Sequence, residues 1–326
     1  MCKGIGSTQF YGIYIAKTMF QSKKNKRFTG IDIDSSSVHF ASIEREKTGW
    51  RVLQHGSFPF SPDVLKLAYK KPNIQDQEKF KNVIGKALDL ADPNAATIGL
   101  SLPNEVVKTT LHRFNELPGT KADIEKMIAW TARKTHNFPE EEIKLSYHVA
   151  GKNQKGDNIL IVTNGLKEVL NEYELLFQEL GKTVSIIRPT GINQLNFFIQ
   201  QLPNTGHIAY LGLFQNSFTF FVFENAQLIF LHVAKKDFSN PHFFQDIDMA
   251  KLHYRNENPD HEIEALYVGS QLGFPKGVDT FLEDLGIPQT HLLNENEVVV
   301  TESFDIEEPI SPCISAIAVA QDLGEV

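Results

Sequence analysis

The sequence predicts a mixed α/β fold built from two related halves, with a smaller unit set into the first. Three observations carry this. A three-strand opening that begins with a hairpin occurs twice, at 28–60 and at 207–233. Helix-like and strand-like segments follow each opening, the texture of a layered α/β domain. Between them, residues 105–187 run β-α-β-β-α-β, a pattern that closes on itself as a ferredoxin-like unit.

The elements follow from local pattern. Residues 28–33 are β-branched and apolar, 34–37 are a polar turn (Asp34, Ser35, Ser36, Ser37), and apolar alternation resumes through Val38, Phe40 and Ser42, which reads as a hairpin. A third strand at 50–60 ends at Pro59 and Pro62. Phe80, Val83, Ile84, Ala87, Leu88 and Ala91 recur at helical spacing over 76–91, and 96–103 is a buried-type strand closed by Pro103. In the inserted unit, 106–114, 143–149, 158–163 and 184–187 read as strands, and 121–136 and 167–180 as helices. The second half offers strands at 207–214, 218–223 and 227–233, the last two joined by a turn at Glu224, Asn225 and Ala226. Further on are a helix over 241–256, a strand at 264–268 running onto Gly269, a helix at 277–285 capped by Gly286, and a terminal helix carrying Ile314, Ile317, Ala318 and Leu323. The expected division is a basic flexible N-terminus (1–27), a first subdomain (28–104 with 188–206), an inserted subdomain (105–187) and a second domain (207–326).

Composition narrows the function classes. The chain of 326 residues is 41% hydrophobic and 22% charged, ordinary for a globular protein. Its net charge of −8 is uneven: residues 1–27 carry six basic side chains and no acidic one, leaving an acidic body. Such a body argues against a nucleic-acid binder, which needs phosphate-neutralising Lys and Arg. Two cysteines, Cys2 and Cys313, make no disulfide framework and fit a reducing, cytoplasmic compartment. No apolar run reaches the roughly 20 residues that span a bilayer. Met19 and Phe20 followed by Lys23, Lys24, Lys26 and Arg27 read as a start in their own right, with 1–18 an upstream extension. Residues 19–27 either touch an anionic membrane surface or form a solvated, frayed end.

Motifs for catalysis are scarce. There is no Gly-x4-Gly-Lys-Ser/Thr loop; the stretch from Gly269 through Gly273 to Lys276 and Gly277 only imitates one. Gly99, Ser101 and Pro103 do not form a nucleophile elbow, and the eleven histidines show no zinc spacing. Phe218, Phe220, Phe221 and Phe223 read as strand core, with a groove for a partner as the second reading, and Glu140, Glu141 and Glu142 as a helix first turn or a solvated face. The first hairpin is the exception. Asp32 lies between Ile31 and Ile33 in a strand, where aspartate is depleted, and the turn after it is Ser-rich. Duplicated halves that each open on a hairpin are the architecture of the actin and sugar-kinase superfamily, a ribonuclease H-like fold. There the hairpin turn holds phosphates with backbone N–H groups, and an Asp before it positions Mg2+ through water. On that reading Asp32 is the water-mediated metal residue, with Asp34, Ser35, Ser36 and Ser37 in the phosphate loop.

The order and spacing of further residues resemble a known family, PilM, the actin-like cytoplasmic protein of type IV pilus assembly. The resemblance runs through Gly30, Ile31, Asp32, Ser35, Ser36, Ser37 and Val38, then Ile98 to Pro103 with Val106 and Val107. It continues through Leu117, Pro118, Ile124, Trp130, Phe138, Pro139, Tyr147, Ile159, Val169, Tyr173 and Gly181. It covers 19–326, strongly to about 200, and implies an actin-like ATPase fold. It also implies ATP and Mg2+ as cofactors, with Gly212 in a second phosphate loop and Gly269 and Ser270 in an adenosine loop. Three departures stand out: Asp34 replaces a glycine, Tyr210 begins the second loop where the family has Asp or Asn, and Ser270 replaces a glycine. The first puts a negative charge beside the intended phosphates. Together they weigh against ATP binding and more strongly against hydrolysis; Lys235, Lys236 and Lys276 are the cations that could offset Asp34. The implied role is a cytoplasmic scaffold, peripheral at the inner membrane, in the assembly platform of a type IV pilus or type II secretion-like system. Its implied partners are pilus platform and motor proteins and the N-terminal peptide of a PilN-like membrane protein, held in the cleft between the first and inserted subdomains. The alternatives are a functional ATPase or small-molecule kinase on the same fold, and an FtsA-like cell-division protein.

Overall fold

A computed structural model describes residues 27–47, 49–136, 142–153, 155–236, 242–274, 277–301 and 309–325. The expectations for residues 1–26, for Phe138 to Glu141 and for Lys276 lie outside the described residues. The first half opens as predicted with β1 (Arg27–Ile33), β2 (Ser37–Glu46) and β3 (Gly49–Pro59), followed by α1 (Gln77–Ala91) and β4 (Thr97–Leu102). Asp76 caps α1 by accepting a hydrogen bond from the Lys79 amide at 3.0 Å. The helix buries Phe80, Ile84, Ala87, Leu88 and Ala91, the stripe its spacing predicted, against β2 and β3.

The chain then leaves the sheet for β5 (Lys108–Phe114), α2 (Lys121–His136), β6 (Ile143–Lys152), β7 (Asn158–Leu166) and α3 (Lys167–Glu179). It returns through β8 (Thr183–Pro189) into α4 (Thr190–Phe198). The strand expected to close the inserted unit, at 184–187, belongs instead to β8, which pairs in parallel with β4. The small sheet therefore has three antiparallel strands in the order β5-β7-β6. Local sequence cannot separate these outcomes, because a short apolar strand fits either edge.

The second half repeats the opening with β9 (His207–Leu213), β10 (Ser217–Glu224) and β11 (Gln227–Lys235), then α5 (Phe243–Glu257), β12 (Ala265–Ser270), α6 (Val278–Asp284) and β13 (Gln289–Leu292). These strands form a sheet of order β11-β10-β9-β12-β13. The chain ends with β14 (Val300–Thr301), which joins the edge of the first sheet beside β3, and α7 (Ile314–Leu323). The first sheet thus runs β14-β3-β2-β1-β4-β8. The terminal helix, read from the sequence with the second half, packs on β1, β2 and β4 of the first sheet and against α4.

Paired glycines set how closely these helices approach. Gly30 and Gly99 are partners across β1 and β4. A Cβ at Gly30 would run into the Ala316 carbonyl of α7, and one at Gly99 would lie 2.7 Å from the Val319 carbonyl. In the second sheet Gly212 and Gly269 are partners across β9 and β12. Cβ atoms there would collide with Gln194 and Phe198 of α4. The two halves thus share one device: side by side, two central strands give up their side chains where a helix crosses.

Candidate functional site

The two hairpin turns, at 34–37 and 214–217, are built alike. In each the first amide donates to the fourth carbonyl at 3.0 Å, Asp34 to Ser37 and Phe214 to Ser217. The fold brings them together. Ser36 Oγ donates to Gln215 Oε1 at 2.9 Å, and the Asn216 side-chain amide donates to Ser35 Oγ. Two turns nearly 180 residues apart in sequence are therefore joined directly.

Asp34 fills the first turn from within. Its Oδ1 accepts from the Ser36 amide at 2.6 Å and the Ser37 amide at 2.7 Å, and lies 3.0 Å from the Ser36 hydroxyl, whose one proton it shares with Gln215 Oε1. Its Oδ2 lies 2.9 Å from His39 Nε2, and His39 Nδ1 lies 2.6 Å from Ser57 Oγ. Burial raises the Asp34 carboxyl, but the His39 hydrogen bond and charge, with the Ser36 bonds, outweigh it and hold it below the usual carboxylate value. For His39 burial acts against the charged form, and the Asp34 hydrogen bond with the charges of Asp32 and Asp34 reverses this, raising its pKa. The result is an ion pair folded into the turn.

Asp32 lies deeper, 1% exposed. Thr190 Oγ1 donates to its Oδ1 at 3.1 Å, and Gln271 Nε2 lies 3.5 Å from its Oδ2 and 2.5 Å from Ser315 Oγ. Ser101 Oγ is 3.2 Å from the Thr190 hydroxyl. Burial pushes Asp32 up to about 6, against the pull of His39 and the Ser101 and Thr190 hydroxyls. Thr190, Gln271 and Ser315 come from the start of α4, the residue just after β12, and α7, so the site is closed from three places remote in sequence. No local pattern marked them. His39 could have been noticed, as a histidine one register step across from Asp32 on β2.

Gly212 and Gly269 lie in strand interiors under α4, where their missing side chains admit the helix. Ser270 Oγ donates to the Gly273 carbonyl at 2.6 Å and accepts from the Leu272 amide at 3.2 Å, capping its own turn. Lys236 pairs with Asp246 at 2.8 Å. Lys235 acts on Glu105, whose carboxyl burial raises and Lys235 lowers in part.

The space left between the turns is about 40 Å³, lined by residues that include Asp34, His39, Glu105, Thr190, Gln215 and Gln271. That volume takes a few waters, at about 10–15 Å³ each, whereas small-molecule sites run to about 300 Å³ and more. Among the described residues its lining holds Asp34, paired with His39, and Glu105, and no Lys or Arg. A nucleoside triphosphate therefore does not fit this arrangement: the Asp34, Ser36 and Ser37 amides are bonded within the turn, the space is small, and His39, the cation among the described lining residues, is already paired with Asp34.

No family model and no curated protein sequence matches the chain. Solved structures match in shape. A PilM–PilN type IV pilus biogenesis complex aligns with a TM-score of 0.70 at 14% identity, over 90% of this chain and 97% of that one. A Bacteroides thetaiotaomicron protein with an actin-like ATPase fold and unknown function aligns with a TM-score of 0.56 at 13% identity, over 92% of this chain and 98% of that one. The fold is thus the actin-like ATPase fold that the duplicated openings predicted.

Proposed function

We propose that the chain is a nucleotide-independent scaffold in an inner-membrane assembly platform of the type IV pilus or type II secretion kind. The observation that carries this reading is the Asp34 carboxylate seated on the amides of its own turn, with that turn joined to Gln215 and Asn216. Where a nucleotide would bridge the two halves, side chains of the chain already do so. The resemblance in sequence and the shared shape with a PilM–PilN complex support the pilus or secretion setting.

The partner proposed is a PilN-like membrane protein whose short cytoplasmic N-terminal peptide is captured between the first sheet and the inserted subdomain. Segment 61–76 spans that junction. Tyr69 donates to Asn164 Oδ1 at 2.5 Å, and the Asn73 and Ile74 amides donate to Glu172 at 2.7 and 2.9 Å. On this reading the bonds hold the junction in place before a partner arrives, which would lower the ordering cost of binding. No helix among the described residues is long and apolar enough to cross a membrane; the partner would supply the anchor. A kinase or ATPase reading needs a carboxylate facing a γ-phosphate, and Asp32 is buried and held by Thr190 and Gln271. The cell-division alternative draws no support from α7, which is buried in the core.

Immobilised full-length chain, incubated with detergent-solubilised membranes of its source, is expected to retain a membrane protein with a short cytoplasmic N-terminal tail. A synthetic peptide of that tail should compete, and Mg-ATP should change neither result. Release of the partner by Mg-ATP would contradict the reading.

A further inference from the structure

A second cluster of ligating side chains lies at the far end of the second sheet. His207 opens β9 and Glu224 closes β10, and the two are direct partners in the antiparallel register. The turn after Glu224 is fixed by left-handed backbone at Asn225 (φ 47°) and Ala226 (φ 71°), and the Asn225 amide donates to the Gly206 carbonyl at 3.0 Å. His261 comes from the loop between α5 and β12. That loop is tied to the same corner, because the Glu264 amide donates to the His207 carbonyl at 2.7 Å.

One ligand atom from each of His207, Glu224 and His261 lies within 4.8 Å of the other two. His261 Nδ1 is 4.0 Å from Glu224 Oε1, and it is a buried nitrogen without a hydrogen-bond partner among the described residues. The two imidazoles meet edge to face with centroids 5.4 Å apart. The Tyr254 hydroxyl is hydrogen-bonded to His207 Nε2 and fixes that ring, the kind of outer support that metal-ligating histidines carry. Beside the cluster is a cavity of about 530 Å³ to which Glu224 and His261 both contribute. Asp157, Glu257 and Asp260 line it together with Arg113 and Lys155.

We propose that His207, Glu224 and His261 form a binding site for a divalent transition metal, zinc by its ligand set. Two imidazoles and one carboxylate suit zinc, whereas Ca2+ and Mg2+ take mostly oxygen ligands in larger shells. Zinc in a tetrahedral site holds its ligand atoms about 3.3 Å apart, so the three side chains need to close by up to about 1.5 Å. Glu224 and His261 have room to move that far, their side chains being 26% and 32% exposed. Three protein ligands leave a fourth position, on the side where Glu224 and His261 meet the cavity, for a water or a small anionic ligand. Metal binding would lock the loop before β12 onto the β9–β10 corner.

The test is a titration of chelator-treated, full-length chain with Zn2+, and separately with Co2+ as a spectroscopic stand-in. The expected result is one equivalent bound with micromolar or tighter affinity, together with the visible bands of a four-coordinate Co2+ site. His261→Ala and Glu224→Gln should each weaken binding at least about tenfold, and Tyr254→Phe about tenfold through the lost outer support. Circular dichroism would check that each variant is folded, and the conservative Glu224→Gln keeps the test decisive if His261→Ala is not. Absence of saturable binding, or unchanged affinity in the His261→Ala/Glu224→Gln double variant, would overturn the proposal.

Discussion

The Asp34 carboxylate does inside this chain what a phosphate oxygen does in a loop of this kind: it collects two backbone N–H groups and a hydroxyl. Hydrogen bonds to a charged group contribute about 1.5–3 kcal/mol in total effect when one partner is removed. Asp34→Ala, which also strips His39 of its acid, is therefore expected to lower the unfolding free energy by about 2 kcal/mol, read from urea denaturation. Asp32 acts in the opposite sense. Its folded pKa of about 6 stands above the ordinary carboxyl value of 3.8, so the folded state holds its proton more tightly than the unfolded one. The stability this gives is complete below pH of about 4 and is lost as pH rises through about 6, a swing of about 3 kcal/mol. Asp32→Asn should therefore be more stable than the parent at a pH of about 8, by up to about 3 kcal/mol, with the gain shrinking to nothing toward pH of about 4. His39, raised by its acids, contributes fully below its ordinary value and loses that contribution as pH rises through its folded one. Asp32 and the Ser-rich turn were legible because aspartate is out of place inside a strand. Asp34 was legible as a charge opposing phosphate, but its bonds to the turn amides show only in three dimensions. Thr190 and Gln271 left no local signal, being 158 and 239 residues from Asp32.

Helices α4 and α7 cross between the two sheets, and the glycine pairs decide how near they come. Gly30→Ala would press a methyl group into the Ala316 backbone. Overpacking against backbone that cannot move should cost at least about 3 kcal/mol. Gly85 is the control: it lies inside α1, and a methyl group on its Cα would meet nothing within 4 Å, so Gly85→Ala should stabilise by about 0.5–1 kcal/mol. Thermal unfolding of the two variants side by side checks both signs. A second tie joins these elements, the ion pair of Arg188 on β8 with Asp322 on α7 at 2.8 Å, both side chains under 10% exposed. Asp322→Ala leaves the Arg188 charge buried and should cost about 3–5 kcal/mol. The amphipathic and alternating elements, β1 to β4, α1 and the strands of the second opening, were legible from periodicity. Helix α4 was not, because it is buried on nearly every side and so carries no polar stripe to set against an apolar one. The same uniform burial explains why the sequence showed α7 as a helix but not which sheet it covers.

At the scale of the molecule, the two halves meet at matched turns that bond to each other, around a space of about 40 Å³. In an actin-like fold this seam is where a ligand would set the angle between halves, and here Ser35, Ser36, Gln215 and Asn216 hold it. On the proposed scaffold reading such a seam would present a partner surface in one arrangement without a bound ligand. The duplication itself was legible from the repeated opening, but the closure was not, because it joins residues about 180 positions apart. The most direct measurement is a calorimetric titration of the full-length chain with Mg-ATP. The account predicts no binding heat up to millimolar nucleotide, and recovery of measurable binding when Asp34→Gly frees the turn amides. Micromolar binding by the unaltered chain, abolished by Asp32→Ala, would contradict it.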